Sequence, residues 1–338
     1  MTLPLVLIDA DVLGRDRTGD ETYVENLLRH LPDAAAGTLR FVAATRHPRL
    51  VPDGIEPIEL CARRQELRMA WSLPRLLRRL RPSLAHFQYA LPLACPCPAV
   101  VTVHDLSFER DAHLMGRRDR AVFRTVVPRS VRRAERVFAV SERTRRDLID
   151  LYGTPPEKIV VTPNAVDPAF TPGGHPDGYL LFVGAIQRRK NPLEAAAAAG
   201  ELGLRLVVAG PEKEPELARE LERRGAELHG YVDKPHLAEL YRGAACVVLP
   251  SRYEGFGLPV LEAMACGTPV VATDDPALRE VGGDAALYAD EGGFADAIRL
   301  ALSERDARAR AGIERARLFS WVESARRAVA AYREVIGT

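Results

Sequence analysis

The stretch from Leu249 to Thr273 holds the residues whose types and spacing carry the most chemical information. A short apolar run ends at Leu249, a turn with two glycines follows, and Pro259 stands where the first turn of a helix is expected. Glycines let backbone amides approach a ligand, and a helix N-terminus supplies partial positive charge, so the segment suits a phosphate or pyrophosphate. Glu254 and Glu262 flank this site. Their carboxylates favour sugar or ribose hydroxyls as partners. A helix-capping loop with a solvated glutamate face is the alternative.

A second segment, YLLFVGAIQRRKNP, carries cations to a similar position. An apolar strand is predicted to end before Gly184, and Asn191 is expected to cap a helix that starts at Pro192. The loop between them holds three cations, Arg188, Arg189 and Lys190. Cations fixed beside a diphosphate leaving group would stabilise its developing charge, by about 3–4 kcal/mol for each well-placed donor. A solvated basic loop would have the same composition.

In the first half of the chain, His104 follows a predicted strand that ends at Val103. A histidine at a strand end can contact a ligand and titrates near neutrality, although a hydrogen-bonded structural histidine fits equally well. Asp9 and Asp11 follow the first predicted strand. Since no third ligand is in sight, we interpret them as strand-end caps and predict that no metal is required.

The loop Gly14–Tyr23 lies between that first strand and a helix predicted from Glu21. Thr18 and Gly19 would place backbone amides at the helix N-terminus, where partial positive charge attracts anions. A flexible surface turn is the alternative.

These segments need elements that bring them together, and the hydrophobic pattern supplies them. Short apolar runs alternate with helical segments in both halves, which is typical of parallel sheets covered on both faces. The predicted strands are Leu3–Asp9, Arg40–Ala44, Ser83–Phe87, Val100–Val103, Arg136–Val140, Lys158–Thr162, Tyr179–Val183, Leu204–Ala209, Ala226–His229, Ala244–Leu249 and Thr268–Thr273. The sequence therefore predicts two doubly wound, Rossmann-like α/β domains. Ligands in such sheets bind outside the carboxyl ends of the strands.

The segment Asp167–Gly178 holds three prolines and three glycines and is interpreted as the linker. We therefore predict domains over residues 1–168 and 177–320. The first half is basic and the second acidic. Periodicity predicts a final amphipathic helix, Trp321–Val335, but does not assign it to either domain.

Composition excludes several classes of protein. The net charge of +1, with 47% hydrophobic and 28% charged residues, is typical of an ordinary globular protein rather than a disordered or bulk nucleic-acid-binding one. Five cysteines indicate reduced thiols, and we interpret Cys95 and Cys97 as packing residues. Prolines interrupt the longest uncharged stretch, Phe87–Val103, and no basic leader precedes the first strand, so a cytoplasmic location is expected. No G-x-G-x-x-G follows the first strand of either half, which disfavours a nicotinamide dehydrogenase.

Taken together, the segments resemble the retaining glycosyltransferases of family 4, which have the two-domain GT-B fold with two lobes facing across a cleft. The matching parts are TGDETYVENLL, VTVHDLSF, VSERTRRDLIDLYGTPPEKIVVTPNAVD, FVGAIQRRKNP, HGYVDKPHLAELYRGAACVVLPSRYEGFGLPVLEAMACGTPVVAT and EVGGDAALY. The most specific is the pair Glu254 and Glu262, separated by seven residues as in the family. The resemblance also implies that the final helix, residues 321–338, packs back on the first domain.

The resemblance implies roles in the second domain. Glu254 is similar to the glutamate that holds hydroxyls of the transferred sugar, and Glu262 to the one that binds the ribose. Arg189 and Lys190 resemble the cations that neutralise the diphosphate. Tyr231 and Val232 lie where the base usually rests, and the backbone of Gly255, Phe256, Gly257 and Leu258 lines the sugar and phosphates. Gly184 is a further donor-binding position.

In the first domain, His104 resembles the histidine that contacts the sugar, and Gly19 belongs to the loop near the phosphates. One departure is that many members have Gly-Arg where this chain has Gly184 and Ala185. A phosphate-binding cation is therefore missing from that position, and Arg188 is a candidate substitute.

The resemblance implies a retaining, metal-independent hexosyltransferase that uses a nucleotide-diphosphate sugar and needs no cofactor. Guanosine-diphosphate mannose is the leading donor, with uridine and thymidine donors behind it. The acceptor would be a sugar, glycolipid or small molecule. Alternatives are a nucleotide-sugar epimerase or hydrolase on a related scaffold, and a non-catalytic two-lobe sugar-binding protein. The basic segments Arg63–Arg81 and Arg117–Arg136 suit a lipid phosphate or the inner face of a membrane, or are solvated helix faces.

Overall fold

The computed structural model describes residues 3–15, 18–62, 64–110, 117–174 and 177–338. It contains two compact units, one formed by Met1–Asn164 with Trp321–Thr338 and the other by Ala165–Ser320. Five residues of segments singled out above lie outside the described residues: Asp16, Arg17, Arg63, His175 and Pro176. No helix within the described ranges has the length and apolar character needed to cross a bilayer.

The described part of the first unit holds a parallel sheet of seven strands. The strands are β1 (Leu5–Asp9), β2 (Arg40–Thr45), β3 (Glu56–Glu59), β4 (Leu84–Gln88), β5 (Ala99–Val103), β6 (Arg136–Ala139) and β7 (Ile159–Val161). The helices are α1 (Thr18–Ala35), α2 (Gln65–Leu67), α3 (Leu73–Leu80), α4 (Ser107–Arg110), α5 (Arg117–Arg133) and α6 (Glu142–Tyr152), with a π-helical turn at Arg68–Ser72. Every residue of β1 and β5 is buried, so both faces of the sheet are covered.

The strand order of this sheet is β3-β2-β1-β4-β5-β6-β7. The order reverses direction between β1 and β4, which makes that pair the topological switch point. Loops that leave the carboxyl ends of these two strands diverge from each other and open a crevice for a ligand.

The second unit has a parallel sheet of six strands over its described residues. They are β8 (Tyr179–Val183), β9 (Leu206–Ala209), β10 (Glu227–Gly230), β11 (Ala244–Leu249), β12 (Val270–Thr273) and β13 (Leu287–Ala289). The helices are α7 (Pro192–Leu202), α8 (Pro215–Arg223), α9 (Lys234–Gly243), α10 (Leu258–Ala265), α11 (Pro276–Gly282), α12 (Phe294–Ser303) and α13 (Arg305–Ala316). The order β10-β9-β8-β11-β12-β13 places the switch point between β8 and β11.

The predicted class of two doubly wound α/β domains is confirmed. The sequence pattern misses β3 and β13, both at sheet edges. The side chains of β3 are mostly exposed and it contains Pro57, so it lacks an apolar run. Helix α1 begins at Thr18, three residues before the predicted start. The expected loop Gly14–Tyr23 is therefore shorter than predicted. Gly19 lies in the first turn of α1 rather than in the loop before it.

Buried ion pairs neutralise the two aspartates that follow β1. Arg68, itself buried, donates to Asp9 at 2.5 Å, and Arg46 donates to Asp11 at 2.7 Å. Arg15 also contacts Asp11. Asp9 accepts a hydrogen bond from the backbone N–H of Asp11, as expected for a strand-end cap.

The C-terminal helix, α14 (Trp321–Ile336), packs within the first unit. Its Tyr332 is completely buried, with the hydroxyl 2.6 Å from Nδ1 of His86 on β4. The other ring nitrogen of His86 lies 2.6 Å from Oγ1 of Thr102 on β5. Ser324 donates to the carbonyl of Pro163 at 2.5 Å. Burial, assisted by nearby His104, lowers the pKa of His86 to about 3, so the histidine is uncharged in the folded protein.

We expect His86 to make the first unit acid-sensitive. The unfolded chain takes up a proton at His86 near pH 6.5, whereas the folded chain does so only near pH 3. The free energy of unfolding should therefore fall, as pH drops below 6.5, by about 1.4 kcal/mol per pH unit from this group. Both tryptophans, Trp71 and Trp321, lie in the first unit, so tryptophan fluorescence during urea unfolding at pH 6.5 and 4.5 measures it.

The variant His86→Gln should have a smaller pH dependence than the parent by about one proton. His229→Gln, at an exposed position of the second unit, is the matched control and should keep the parent slope. Equal slopes for His86→Gln and the parent would contradict this assignment.

Candidate active site

Two loops at the switch point of the second unit bring most of the predicted donor-binding residues together. One follows β8 and runs from Gly184 to Asn191, and the other follows β11 and runs from Pro250 to Gly257. β8 and β11 are paired neighbours in the sheet. The backbone N–H of Arg252 donates to the carbonyl of Arg189 at 2.9 Å, which ties the two loops to each other.

The side chains of Glu254, Arg189 and Lys190 form one cluster, called here the Glu254 cluster, in which the glutamate is buried and the two cations are partly buried. Glu254 is only 6% exposed. Lys190 Nζ donates to its Oε1 at 2.5 Å, and Arg189 Nη1 lies 3.6 Å from its Oε2. Arg189 also donates to the carbonyl of Tyr253 at 2.7 Å. The two residues that the sequence assigned to a diphosphate thus contact the residue assigned to a sugar.

Electrostatics keep Glu254 ionised. Burial raises the pKa of this carboxyl, but Lys190 and Arg189 together outweigh burial and hold the pKa below its ordinary value. Lys190 and Arg189 thus place two cations with N–H donors against one carboxylate. Cations and donors fixed in this way are suited to an anion such as a diphosphate.

The backbone after β9 lies very close to the start of the loop that follows β8. Gly210, directly after β9, has φ +148°, and a Cβ there would lie 2.1 Å from the carbonyl oxygen of Gly184. Only glycine fits that position.

Asn191 precedes α7 in the left-handed conformation, with φ 48°, and its side chain makes no capping hydrogen bond. The expectation that Asn191 caps the helix through its side chain is therefore wrong. Its backbone conformation turns the chain into α7 instead.

The N-terminus of α10 follows the second loop. Gly257 has φ +111°, and a Cβ there would lie 2.8 Å from Leu278, so the tight turn requires glycine. Pro259 stands in the first turn, as predicted. The phenyl ring of Phe256 packs edge-on against Phe319 with ring centroids 5.8 Å apart. This side chain therefore anchors the loop, and backbone amides are the groups that the segment can offer to a ligand.

Glu262 lies on α10, where the Tyr241 hydroxyl donates to its Oε2 at 2.8 Å. Burial raises the pKa of Glu262 to about 7, with Asp167 adding to the effect while Tyr241 and Lys234 oppose it. Lys234 Nζ in turn pairs with Asp167 at 2.8 Å. Glu262 is thus a carboxyl group that titrates near neutrality and is held in place by a buried tyrosine.

Tyr231 and Val232 follow β10, and since the sheet is parallel they lie at the same edge as the other two loops. The Tyr231 side chain is exposed.

Arg188, the candidate substitute for the missing cation, forms an ion pair with Glu214. Its side chain is 78% exposed and donates to Glu214 at 3.2 Å. It does not join the Glu254 cluster.

His104 lies in the first unit, after β5. Its Nε2 is 2.9 Å from Oε1 of Gln88, and the rings of Tyr23 and Tyr89 pack against it at 5.1 and 5.4 Å. Burial lowers the pKa of His104, and the carboxylates of Asp20 and Asp105 oppose this only in part. Asp20, which follows Gly19 in the first turn of α1, is one of the two carboxylates that act on the histidine. The ring is uncharged at neutral pH.

Sequence reasoning missed several residues of these sites. Tyr241, Gln88 and Tyr89 make contacts between distant parts of the chain, and no local pattern indicates them. Gly210 was detectable, because a glycine directly after an apolar strand often marks close backbone approach.

Among the described residues, no group of three or more histidine, cysteine, aspartate and glutamate side chains is arranged to hold a metal ion.

Comparison with known proteins assigns the family. The family described as Glycosyltransferase Family 4 matches residues 17–170, and the one described as Glycosyl transferases group 1 matches residues 177–304. The O-antigen chain mannosyltransferase B of Escherichia coli is 30% identical over 267 residues, which cover 70% of each chain. The chain belongs to glycosyltransferase family 4. A D-inositol 3-phosphate glycosyltransferase of Geodermatophilus obscurus is 36% identical over 273 residues, 70% of this glycosyltransferase and 61% of that protein.

Solved structures resemble this family 4 glycosyltransferase over nearly its whole length. Sucrose-phosphate synthase from Thermosynechococcus elongatus has a TM-score of 0.81 at 22% identity and covers 99% of this chain and 100% of its own. Anabaena Alr3699/HepE, solved in complex with UDP-glucose, has a TM-score of 0.76 at 15% identity over 98% and 99% of the two chains. At these identities the likeness establishes the fold, and the predicted GT-B class is confirmed.

The Glu254 cluster should behave as a coupled unit. Lys190→Met leaves the buried carboxylate short of its main partner and should lower the stability of the second unit by about 3–5 kcal/mol. Glu254→Gln should also destabilise, and the double variant should lose less than the sum of the two. A double-mutant cycle, with hydrogen exchange of the strands β8 and β11, measures the coupling.

Lys213→Met is the matched control, because Lys213 is an exposed lysine of the same unit and should cost little. Strict additivity of Lys190→Met and Glu254→Gln would show that the two side chains do not interact.

Proposed function

We propose that this glycosyltransferase moves a sugar from a nucleotide-diphosphate donor to an acceptor hydroxyl with retention at the anomeric carbon. The observation that carries the proposal is the Glu254 cluster, in which Arg189 and Lys190 are fixed at the end of β8 against the carboxylate of Glu254. Cations held in advance need no reorganisation when charge develops on a leaving group.

The proposed reaction takes place on one face of the sugar. The bond between the anomeric carbon and the diphosphate oxygen breaks while a bond to the acceptor oxygen forms. The acceptor proton passes to an oxygen of the departing diphosphate, so neither an enzymic nucleophile nor a metal is needed. Arg189, Lys190 and the N-terminus of α10 stabilise the leaving charge. Gly184 and the backbone of Gly255, Gly257 and Leu258 line the phosphates.

Glu254 and His104 are assigned to the transferred sugar. An ionised carboxylate accepts hydrogen bonds from sugar hydroxyls, and the Lys190 and Arg189 contacts keep Glu254 in that form. In an uncharged His104 whose Nε2–H donates to Gln88, the other ring nitrogen is able to accept a hydrogen bond from a sugar hydroxyl without repelling a positive anomeric centre. Gly19 is assigned to the backbone near the phosphates.

The nucleoside half of the donor is assigned to Glu262, Tyr231 and Val232. The Tyr241 hydroxyl fixes one oxygen of Glu262, and we assign the other oxygen to a ribose hydroxyl. The exposed Tyr231 ring offers a surface for the base. The mannosyltransferase relative favours guanosine-diphosphate mannose as donor, and the UDP-glucose complex of HepE supports a uridine donor next, with thymidine third.

A hydrolase is the second candidate, because the pKa values of Glu254 and Glu262 are shifted in opposite directions. A raised and a lowered carboxyl pKa is the pattern of a general acid paired with a nucleophile. Glu254, however, is paired to two cations, which suits hydroxyl binding better than attack on carbon. Sugar release from the donor without acceptor would identify a hydrolase, and transfer that requires acceptor identifies the proposed enzyme.

Turnover should depend on Lys190. A thermal-shift panel of nucleotide diphosphates and nucleotide sugars first selects the donor, and donor consumption is then followed with and without acceptor. Lys190→Ala should lower kcat about 100- to 1000-fold, the effect of removing one preorganised donor to developing negative charge. Circular dichroism must show that the variant is folded at the assay temperature. Lys213→Ala is the control, and near-parent turnover of Lys190→Ala would refute the assignment.

We also propose that the protein works in the cytoplasm, in peripheral contact with the anionic inner face of a membrane that carries its acceptor. All five cysteines are free thiols, which fits a reducing compartment. Leu67 and Trp71, one helical turn apart, are 55% and 64% exposed. The guanidinium of Arg75 lies 5.6 Å from the Trp71 ring, and Arg78 and Arg79 follow on α3. Exposed apolar groups beside arginines are complementary to anionic lipid.

Flotation with vesicles tests this surface. The protein should float with phosphatidylglycerol vesicles and remain at the bottom with phosphatidylcholine vesicles, and 0.5 M salt should weaken the binding because exposed charges are screened. Leu67→Ser with Trp71→Ser should abolish flotation. Leu318→Ser, at an exposed apolar position of the second unit, should leave it unchanged. Equal binding by the double variant and the parent would end the proposal.

A further inference from the structure

Two cysteines in the first unit lie close together in a proline-flanked loop. The segment Cys95-Pro96-Cys97-Pro98 lies between β4 and β5, and the two sulfur atoms are 3.9 Å apart. Both side chains are partly exposed. The sequence pattern alone suggested packing, but a spacing of one residue has here brought two thiols into direct contact.

The rest of the protein holds this loop in place at the surface. The backbone N–H of Leu91 donates to Ser130 on α5 at 2.9 Å, and that of Leu93 donates to the Met69 carbonyl at 3.3 Å. Arg133 Nη1 donates to the carbonyl of Leu93 at 3.4 Å. The two cysteines are themselves partly exposed, so small molecules can reach the segment.

The two thiols are not equivalent. The hydrogen bond with the Cys97 thiol lowers the pKa of Cys95 to about 7; burial opposes this, and the Cys97 backbone and the charge of Arg133 support it. The pKa of Cys97 is raised, first by the same hydrogen bond and then by burial. Cys95 is thus the thiol that ionises first, and Cys97 is the protonated partner beside it. This division matches that of an attacking and a resolving cysteine.

We propose that Cys95 and Cys97 are a redox-active dithiol that exchanges with small-molecule disulfides. The Cys95 thiolate attacks one sulfur of a disulfide R–S–S–R, forms a mixed disulfide and releases R–S⁻, which takes up a proton. Cys97 then loses its proton and attacks the Cys95 sulfur. The second R–S⁻ leaves and is protonated. The sum converts two protein thiols and one R–S–S–R into one protein disulfide and two R–SH.

The geometry permits the second step. A disulfide requires the sulfurs to approach to about 2.05 Å, a movement of roughly 2 Å from the observed separation. Cys95, Pro96 and Cys97 belong to neither a helix nor a strand, so the sulfurs can approach without breaking a strand pairing. Cys246 and Cys266 are buried, whereas Cys61 is exposed and provides a single-thiol comparison.

The test uses the full chain and oxidised glutathione, followed by alkylation and mass spectrometry of the peptide that holds Cys95 and Cys97. The parent should lose two hydrogens from this peptide, and dithiothreitol should restore both thiols. Cys97→Ser should stop at the mixed disulfide on Cys95. Cys95→Ser should react roughly tenfold more slowly at the remaining thiol. Cys61→Ser should close the disulfide at the parent rate.

Two outcomes overturn the proposal: both thiols stay free while Cys61 is modified, or the parent accumulates the mixed disulfide without closing it. The serine variants keep the size of the side chain, and their melting temperatures report whether the loop is still folded. The experiment needs no donor or acceptor, so its result is independent of the proposed glycosyl transfer.

Discussion

A carboxylate buried between the ends of two parallel strands must be neutralised, and the second unit is built around that requirement. Glu254 meets it through Lys190 and Arg189, which come from the loop after the neighbouring strand β8. The charge cannot be left alone in the protein interior, because desolvation would raise its pKa or destabilise the fold. The ion pair therefore fixes the two loops relative to each other. It also holds the side chains of Lys190 and Arg189 at the position proposed for an anionic ligand.

The parallel sheet is what makes this arrangement possible. The chain runs in the same direction in β8 and β11, so the loops that follow both strands begin at the same edge of the sheet. The strand order reverses between these two strands, so their connecting helices lie apart. Close packing then constrains the loops further. The absence of a side chain at Gly210 leaves space for the carbonyl of Gly184. At Gly257 the chain turns into α10, and only a residue without a Cβ fits against the Leu278 side chain. Backbone amides and cations consequently share one small region.

In the first unit, two histidines are accommodated in the interior without ion pairs. His86 and His104 are both uncharged, and both ring nitrogens of His86 and Nε2 of His104 have hydrogen-bond partners within the unit. The neutral ring of His86 links β4 and β5 to Tyr332 of the C-terminal helix. Together with the packing of α14 on α1, this linkage holds the helix at the end of the chain in the unit formed by its beginning. Glu262 and Tyr241 form a comparable pair in the second unit, where burial again sets the protonation state.

The sequence by itself determined the class of fold, most of the strands and the segments that form the candidate active site, because fully buried parallel strands are apolar runs and because glycines, prolines and charges at their ends are local signals. Family membership followed from the collinear motifs around Glu254. Tertiary structure alone decided which side chains meet: Lys190 with Glu254 across 64 residues, Arg188 with Glu214 instead of the cluster, and Tyr332 with His86. It also decided the left-handed turn at Asn191 and the edge strands β3 and β13. Such contacts and conformations depend on packing between segments far apart in the chain, and no local pattern of residue types encodes them.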